Sequence, residues 1–107
     1  MIRHILLIRF TSEVKPAQIA SVREAFLSLP LRMQGVVSVE WGENNSREGK
    51  NAGYTHCVMM TFFDEQARQL YLPHPQHEAI KAIFRPILND IIVFDYDLDP
   101  PSPDSFG

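Results

Sequence analysis

Cysteine is almost missing from this chain: Cys57 stands alone among 107 residues. No disulfide can close within the chain, and no cysteine-rich zinc site can be built. Excess charge of one sign is missing too. Ten Lys and Arg face thirteen Asp and Glu, for a formal charge of −3 and a pI near 5.7. That balance lacks the basic face of a nucleic-acid binder. No apolar run approaches the ~20 residues of a membrane span, so no membrane partner is expected. Met1-Ile2-Arg3-His4 leads into a short apolar stretch without a small-residue cleavage site. The expectation is therefore a cytoplasmic protein without a secretory leader. Glycine is sparse, and Gly49 and Gly53 do not sit on a strand-to-helix turn, so no phosphate-binding loop is read.

What is present is an ordinary globular composition, 45% apolar and 21% charged. The length allows one domain with a core of its own. Residues 1–98 read as that domain. Residues 99–107 carry three prolines in nine positions, which predicts an extended or mobile Pro-rich tail.

Residues 3–10 are apolar and β-branched and read as a strand. Pro16 opens a helix in which Ile19, Val22, Phe26 and Leu29 form one apolar face, and Pro30 is expected to end it. Residues 36–42 and 54–63 read as strands, with a polar loop from Glu43 to Gly53 between them. Asp64 is placed to cap a helix running to Tyr71. His74-Pro75 starts a second helical stretch expected to reach Asn89, and residues 91–98 form the last strand. The order β-α-β-β-α-β is that of the split βαβ, ferredoxin-like class: α+β, a four-stranded antiparallel sheet with helices on one face.

Both faces of that sheet are apolar in the sequence. Tyr54, His56, Val58, Met60 and Phe62 share one side of the third strand, and Thr55, Cys57, Met59, Thr61 and Phe63 share the other. Helices cover a single face, so the second needs another cover. A second copy of the same sheet is the simplest one, which predicts a homodimer through the open sheet face. The aromatic residues, Phe63 and Phe94 among them, are assigned to core, and Cys57 is read as an inert buried thiol.

Four histidines are the unusual feature. His4, His56 and Asp95 fall on apolar strand sides that the topology brings near one another. An ionisable group on such a face needs a partner. They read either as a buried polar cluster that fixes register or as the floor of a pocket. In Tyr71-Leu72-Pro73-His74-Pro75-Gln76-His77, the two histidines lie three apart. A metal would need further ligands that this segment does not supply, so none is expected. A histidine at a helix start has its pKa lowered by the dipole and can serve as a neutral base. Tyr71 could then donate to an oxyanion. The alternative is that His74 caps the helix and Tyr71 is a core aromatic.

The opening Arg-His-Ile-Leu-Leu-Ile-Arg-Phe, Val39-Glu40-Trp41-Gly42, Gly53-Tyr54-Thr55-His56, the Tyr71…His74-Pro75-x-His77 segment and Phe94-Asp95-Tyr96 together resemble the stress-responsive dimeric α/β-barrel domain (Dabb) family. The resemblance covers residues 1–98. It implies a dimeric α/β barrel built from ferredoxin-like protomers. Most members have no assigned reaction, which leaves a non-catalytic stress-response or structural dimer as the alternative. Similarity to a polyketide-cyclising member implies cofactor-free acid–base chemistry next to a carbonyl, with His77 as base and Tyr71 as oxyanion partner. It implies a pocket for a small apolar or aromatic molecule, with His4, His56 and Asp95 in its wall. Phe26 and Leu88 stand where that member has a tyrosine and a tryptophan. His74 is carried as a substrate-binding candidate in the same segment. Similar dimeric barrels also include cofactor-free monooxygenases.

Overall fold

The structure, a computed structural model, describes residues 1–98; the Pro-rich tail read at 99–107 lies outside the described residues. Strand β1 (Ile2–Phe10) is followed by helix α1 (Pro16–Leu27), a single-turn helix α2 (Leu29–Arg32), β2 (Val36–Glu43), β3 (His56–Phe62), helix α3 (Glu65–Tyr71), helix α4 (Pro75–Phe84), a 3₁₀ turn (Arg85–Ile87) and β4 (Leu88–Asp97). The sheet order is β2-β3-β1-β4, antiparallel throughout. This is the ferredoxin-like arrangement, and the fold class is α+β.

Strand periodicity decides what each face carries. On β1, Ile2, Leu6 and Ile8 point under the helices and are buried; their neighbours Val58, Met60 and Phe62 on β3 point the same way and are buried with them. Val22 and Phe26 of α1 and Ile80 and Phe84 of α4 close the core from above. The opposite face keeps Leu7, Ile92, Phe94 and Tyr96 exposed, at 37%, 41%, 61% and 43%. Phe94 is therefore not core, and neither is Phe63, which is 60% exposed. Cys57 lies half-buried on this open face rather than inside.

The strand read at 54–63 is shorter, His56–Phe62, and the boundaries near prolines also differ from the sequence reading. Pro30 does not end helical structure; it sits in the first turn of α2, where its missing N–H is not needed. The stretch after His74 leaves α-helix at Phe84 and passes into the 3₁₀ turn, because Pro86 has no N–H to continue the i→i−4 ladder. Leu88 and Asn89 consequently belong to β4, not to a helix. Asp64 caps α3 as expected, its side chain accepting from the Ala67 N–H at 2.9 Å.

Gly35 fixes where α3 lies. Its φ is +96°, and a Cβ there would stand 2.7 Å from the Ala67 Cβ. Gly42 has no atom within 4 Å of its would-be Cβ. Gly35→Ala is expected to destabilise the fold by more than about 1 kcal/mol, through both strain and collision, while Gly42→Ala stays within about 0.5 kcal/mol. Urea midpoints of the two variants measure this; equal midpoints would contradict the tight α3 packing.

Candidate functional site

The cavity lies between the sheet and helices α3 and α4. Its volume is about 530 Å³, within the ~300–1,000 Å³ common for small-molecule sites. Leu6, Phe26, Ile80, Phe84, Leu88 and Ile91 supply an apolar wall, and His4, Tyr71, His77 and Asp95 enter it from four different elements.

The sheet register places the first pair. His4 is flanked by Met60 on one side and Asp95 on the other. Its Nδ1 lies 2.7 Å from Asp95 Oδ1. Asp95 Oδ2 in turn accepts from Arg68 of α3 at 3.3 Å, and Arg68 is also paired with Glu65. With the proton on Nδ1, the carboxylate fixes the tautomer and leaves Nε2 of His4 as the acceptor nitrogen. Sequence reasoning missed Arg68. It is one cation on a polar helix, and nothing in its spacing says that it reaches across to β4.

The break between α3 and α4 builds the second pair. In an unbroken helix the Leu72 carbonyl would accept from the Gln76 N–H. Here His74 takes the N-cap position and its Nδ1 accepts that N–H at 3.0 Å. The Leu72 carbonyl is left open, and the Nδ1–H of His77 donates to it at 2.9 Å. Nε2 of His77 thereby carries the free lone pair. The His77 ring packs on Tyr71, centroids 4.3 Å apart. Tyr71 also lies against Phe62 at 5.3 Å and His4 at 6.2 Å.

Burial lowers the His77 pKa below its usual value, with Lys81 and His4 adding to the effect and the Leu72 bond and Glu78 opposing it. His77 is therefore neutral near pH 7. The sequence reading had the direction, but assigned it to the helix dipole rather than to desolvation. Burial pushes the Tyr71 hydroxyl well up, so it remains a donor. No buried side-chain polar atom among the described residues lacks a partner. The Tyr71 hydroxyl, which bonds to no protein group, therefore opens onto the cavity it lines.

Two sequence candidates fall elsewhere. His56 shares the helix-side face with His4 but pairs with Ile8, four residues further along β1. At about 3.3 Å per residue that is roughly 13 Å away. Its Nδ1 is 2.7 Å from the Thr55 hydroxyl, its Nε2 is 3.6 Å from Glu43, and its ring packs on Phe10 and Trp41. The expected trio of His4, His56 and Asp95 is thus a pair, because face parity does not fix position along a strand. His74 does not line the cavity; it spends its Nδ1 on the cap. Among the described residues no group of three or more His, Cys, Asp or Glu could hold a metal ion, and no helix is long and apolar enough to cross a membrane.

Fold and cavity together define a ferredoxin-like α+β domain with a cavity between sheet and helices that histidine and tyrosine side chains line. The chain belongs to the stress responsive A/B barrel domain (Dabb) family, whose model matches residues 2–98. It is 27% identical over 95 residues to olivetolic acid cyclase of Cannabis sativa, covering 89% of this chain and 94% of that protein. It is 30% identical over 95 residues to the stress-response A/B barrel domain-containing protein HS1 of Arabidopsis thaliana, covering 89% and 87%. Among solved structures, a dimeric ferredoxin-like protein of unknown function from Thermobifida fusca superposes with a TM-score of 0.77 at 29% identity, covering 91% of this chain and 90% of that one.

The His77 shift has a stability consequence. Its folded pKa lies below the unfolded value near 6.5, so the unfolded chain binds the proton more readily. Stability contributed by neutral His77 is present above the unfolded pKa and is lost as pH falls through the folded one. The wild type is expected to lose more stability between pH 7 and 5 than His77→Gln. Parallel stability curves, or an NMR titration of His77 at or above 6.5, would overturn this.

Proposed function

We propose that the protein is a homodimer with one small-molecule cavity per subunit, and that it carries out cofactor-free acid–base chemistry at a carbon next to a carbonyl. The observation that carries the reading is that a neutral imidazole with a fixed tautomer and a permanently protonated phenol line one apolar cavity. Nε2 of His77 takes the proton from the carbon, and the C–H electron pair moves onto the carbonyl oxygen. The Tyr71 hydroxyl donates to that oxygen as charge develops. The enolate so formed is the nucleophile that an aldol-type cyclisation needs. Similarity to olivetolic acid cyclase supports this class of reaction.

In this reading His4 and Asp95 form the polar floor, and Phe26 and Leu88 shape the apolar end that receives a small apolar or aromatic substrate. His56 and His74 act at a distance, one in packing and the other through the cap. The dimer rests on the exposed apolar residues of the open sheet face, for which a second copy is the self-complementary cover. The dimeric neighbour of the same fold supports it.

Proton–deuterium exchange of a β-keto compound in D₂O tests the chemistry. The wild type is expected to accelerate exchange at the carbon between the carbonyls about 10²–10⁴-fold over His77→Ala, with Tyr71→Phe intermediate. No acceleration, in a protein that a bound ligand still stabilises, would leave the non-catalytic dimer. Light scattering tests the assembly. The wild type is expected at twice the chain mass and Phe94→Glu, which puts a charge on the open face, at or near the monomer. A monomeric wild type would overturn the dimer.

A further inference from the structure

The cavity described above has a charged mouth that its acid–base chemistry does not use. His77, Lys81 and Arg85 follow one another at intervals of four along α4 and its cap, and all three line the cavity. Residues so spaced share a helix face, with about 6 Å of rise between successive members. Lys81 and Arg85 also line a shallow hollow beside the cavity, together with Glu78, Ala82 and Pro86. The row therefore leads from the base outward, from an apolar interior to a cationic exit.

The charges at this mouth balance in number, three cations against three carboxylates, but not in pairing. Glu65 and Asp95 are both paired with Arg68, and Lys81 is paired with Glu78 at 2.5 Å. Arg85 is exposed and forms no ion pair among the described residues. This unpaired cation stands on a chain whose overall charge is −3, so it is not a sample of a basic surface. A cation in a last helical turn also complements the helix dipole, but any face of the helix would serve that purpose, and these two lie on the cavity's side.

Resting on the reading of the cavity as a substrate site, we propose that its ligand is an amphipathic carboxylic acid. The apolar body fills the space walled by Phe26, Phe84, Leu88 and Ile91, and the carboxylate is held at the mouth by Arg85 and Lys81. The geometry then sets where the ligand reacts. The carboxylate lies one to two helical turns from His77, so the carbon facing Nε2 is an interior one, roughly 6–12 Å from the acid terminus. An unsubstituted apolar ligand of the same length would gain the burial but leave the mouth unsatisfied.

Isothermal titration with decanoate and with decanol, at equal ionic strength, tests the assignment on the full-length protein. Decanoate is expected to bind at least about tenfold more tightly than decanol. Arg85→Gln should remove most of that preference, Lys81→Gln with Arg85→Gln all of it, and decanol affinity should be unchanged in both. Equal affinity of the two ligands for the wild type would overturn the carboxylate proposal while leaving the cavity as a binding site. So would a preference that survives in the double variant. Failure of both ligands to bind would instead overturn the reading of the cavity as a site for such molecules, and the carboxylate proposal with it.

Discussion

β1 lies at the centre of the sheet, and its register with both neighbours sets the rest. Side chains alternate with a period of two, so a slip of one residue would turn every core residue outward. In the observed register Ile2, Leu6 and Ile8 bury against Phe62, Val58 and α1 and α4, while His4 meets Asp95. The apolar residues and the polar pair thus select the same register. A slipped strand would bury Arg3 and Ile5 in their place and leave the Asp95 carboxylate with Arg68 as its remaining partner, so the hydrophobic and electrostatic costs fall together. The His4–Asp95 contact is both a structural lock and one wall of the cavity, and the two readings open at the sequence level are one object.

The same alternation explains how much of the site was legible beforehand. Parity along a strand is visible in sequence, so the sharing of a face by His4, Asp95 and the core was readable, as was the apolar second face. Depth along the strand depends on pairing register, which parity does not contain. His56 was accordingly grouped with His4 although Ile8, not His4, is its partner. Helix ends were legible where a side chain makes the cap, as at Asp64, and misread where proline permits either an end or a beginning, as at Pro30. The Arg68–Asp95 and Lys81–Arg85 features join elements distant in the chain to one cavity. Such contacts follow from the assembled fold rather than from any local pattern.

Two histidines in one cavity receive their tautomers from different sources. At His4 a carboxylate accepts the Nδ1 proton. At His77 a neutral carbonyl accepts it, and desolvation works against the charge. Burial therefore favours the neutral ring at His77. A base that must be unprotonated before it acts is better served by the second environment.

That second environment depends on breaking a helix. Had α3 and α4 been continuous, the Leu72 carbonyl would have been spent on Gln76 and His77 would have had no acceptor for Nδ1. Pro73 and Pro75 lack backbone donors, which removes two rungs of the ladder in this stretch. His74 then takes the Gln76 N–H through its side chain. The orphan carbonyl at the end of a helix, ordinarily left to water, becomes the group that orients the base. The same break lets Tyr71 close one helix and His77 open the next, so their rings can stack at 4.3 Å. On a continuous helix, positions six apart point about 120° away from each other. The proline-rich segment is thus what brings the phenol and the imidazole onto one wall.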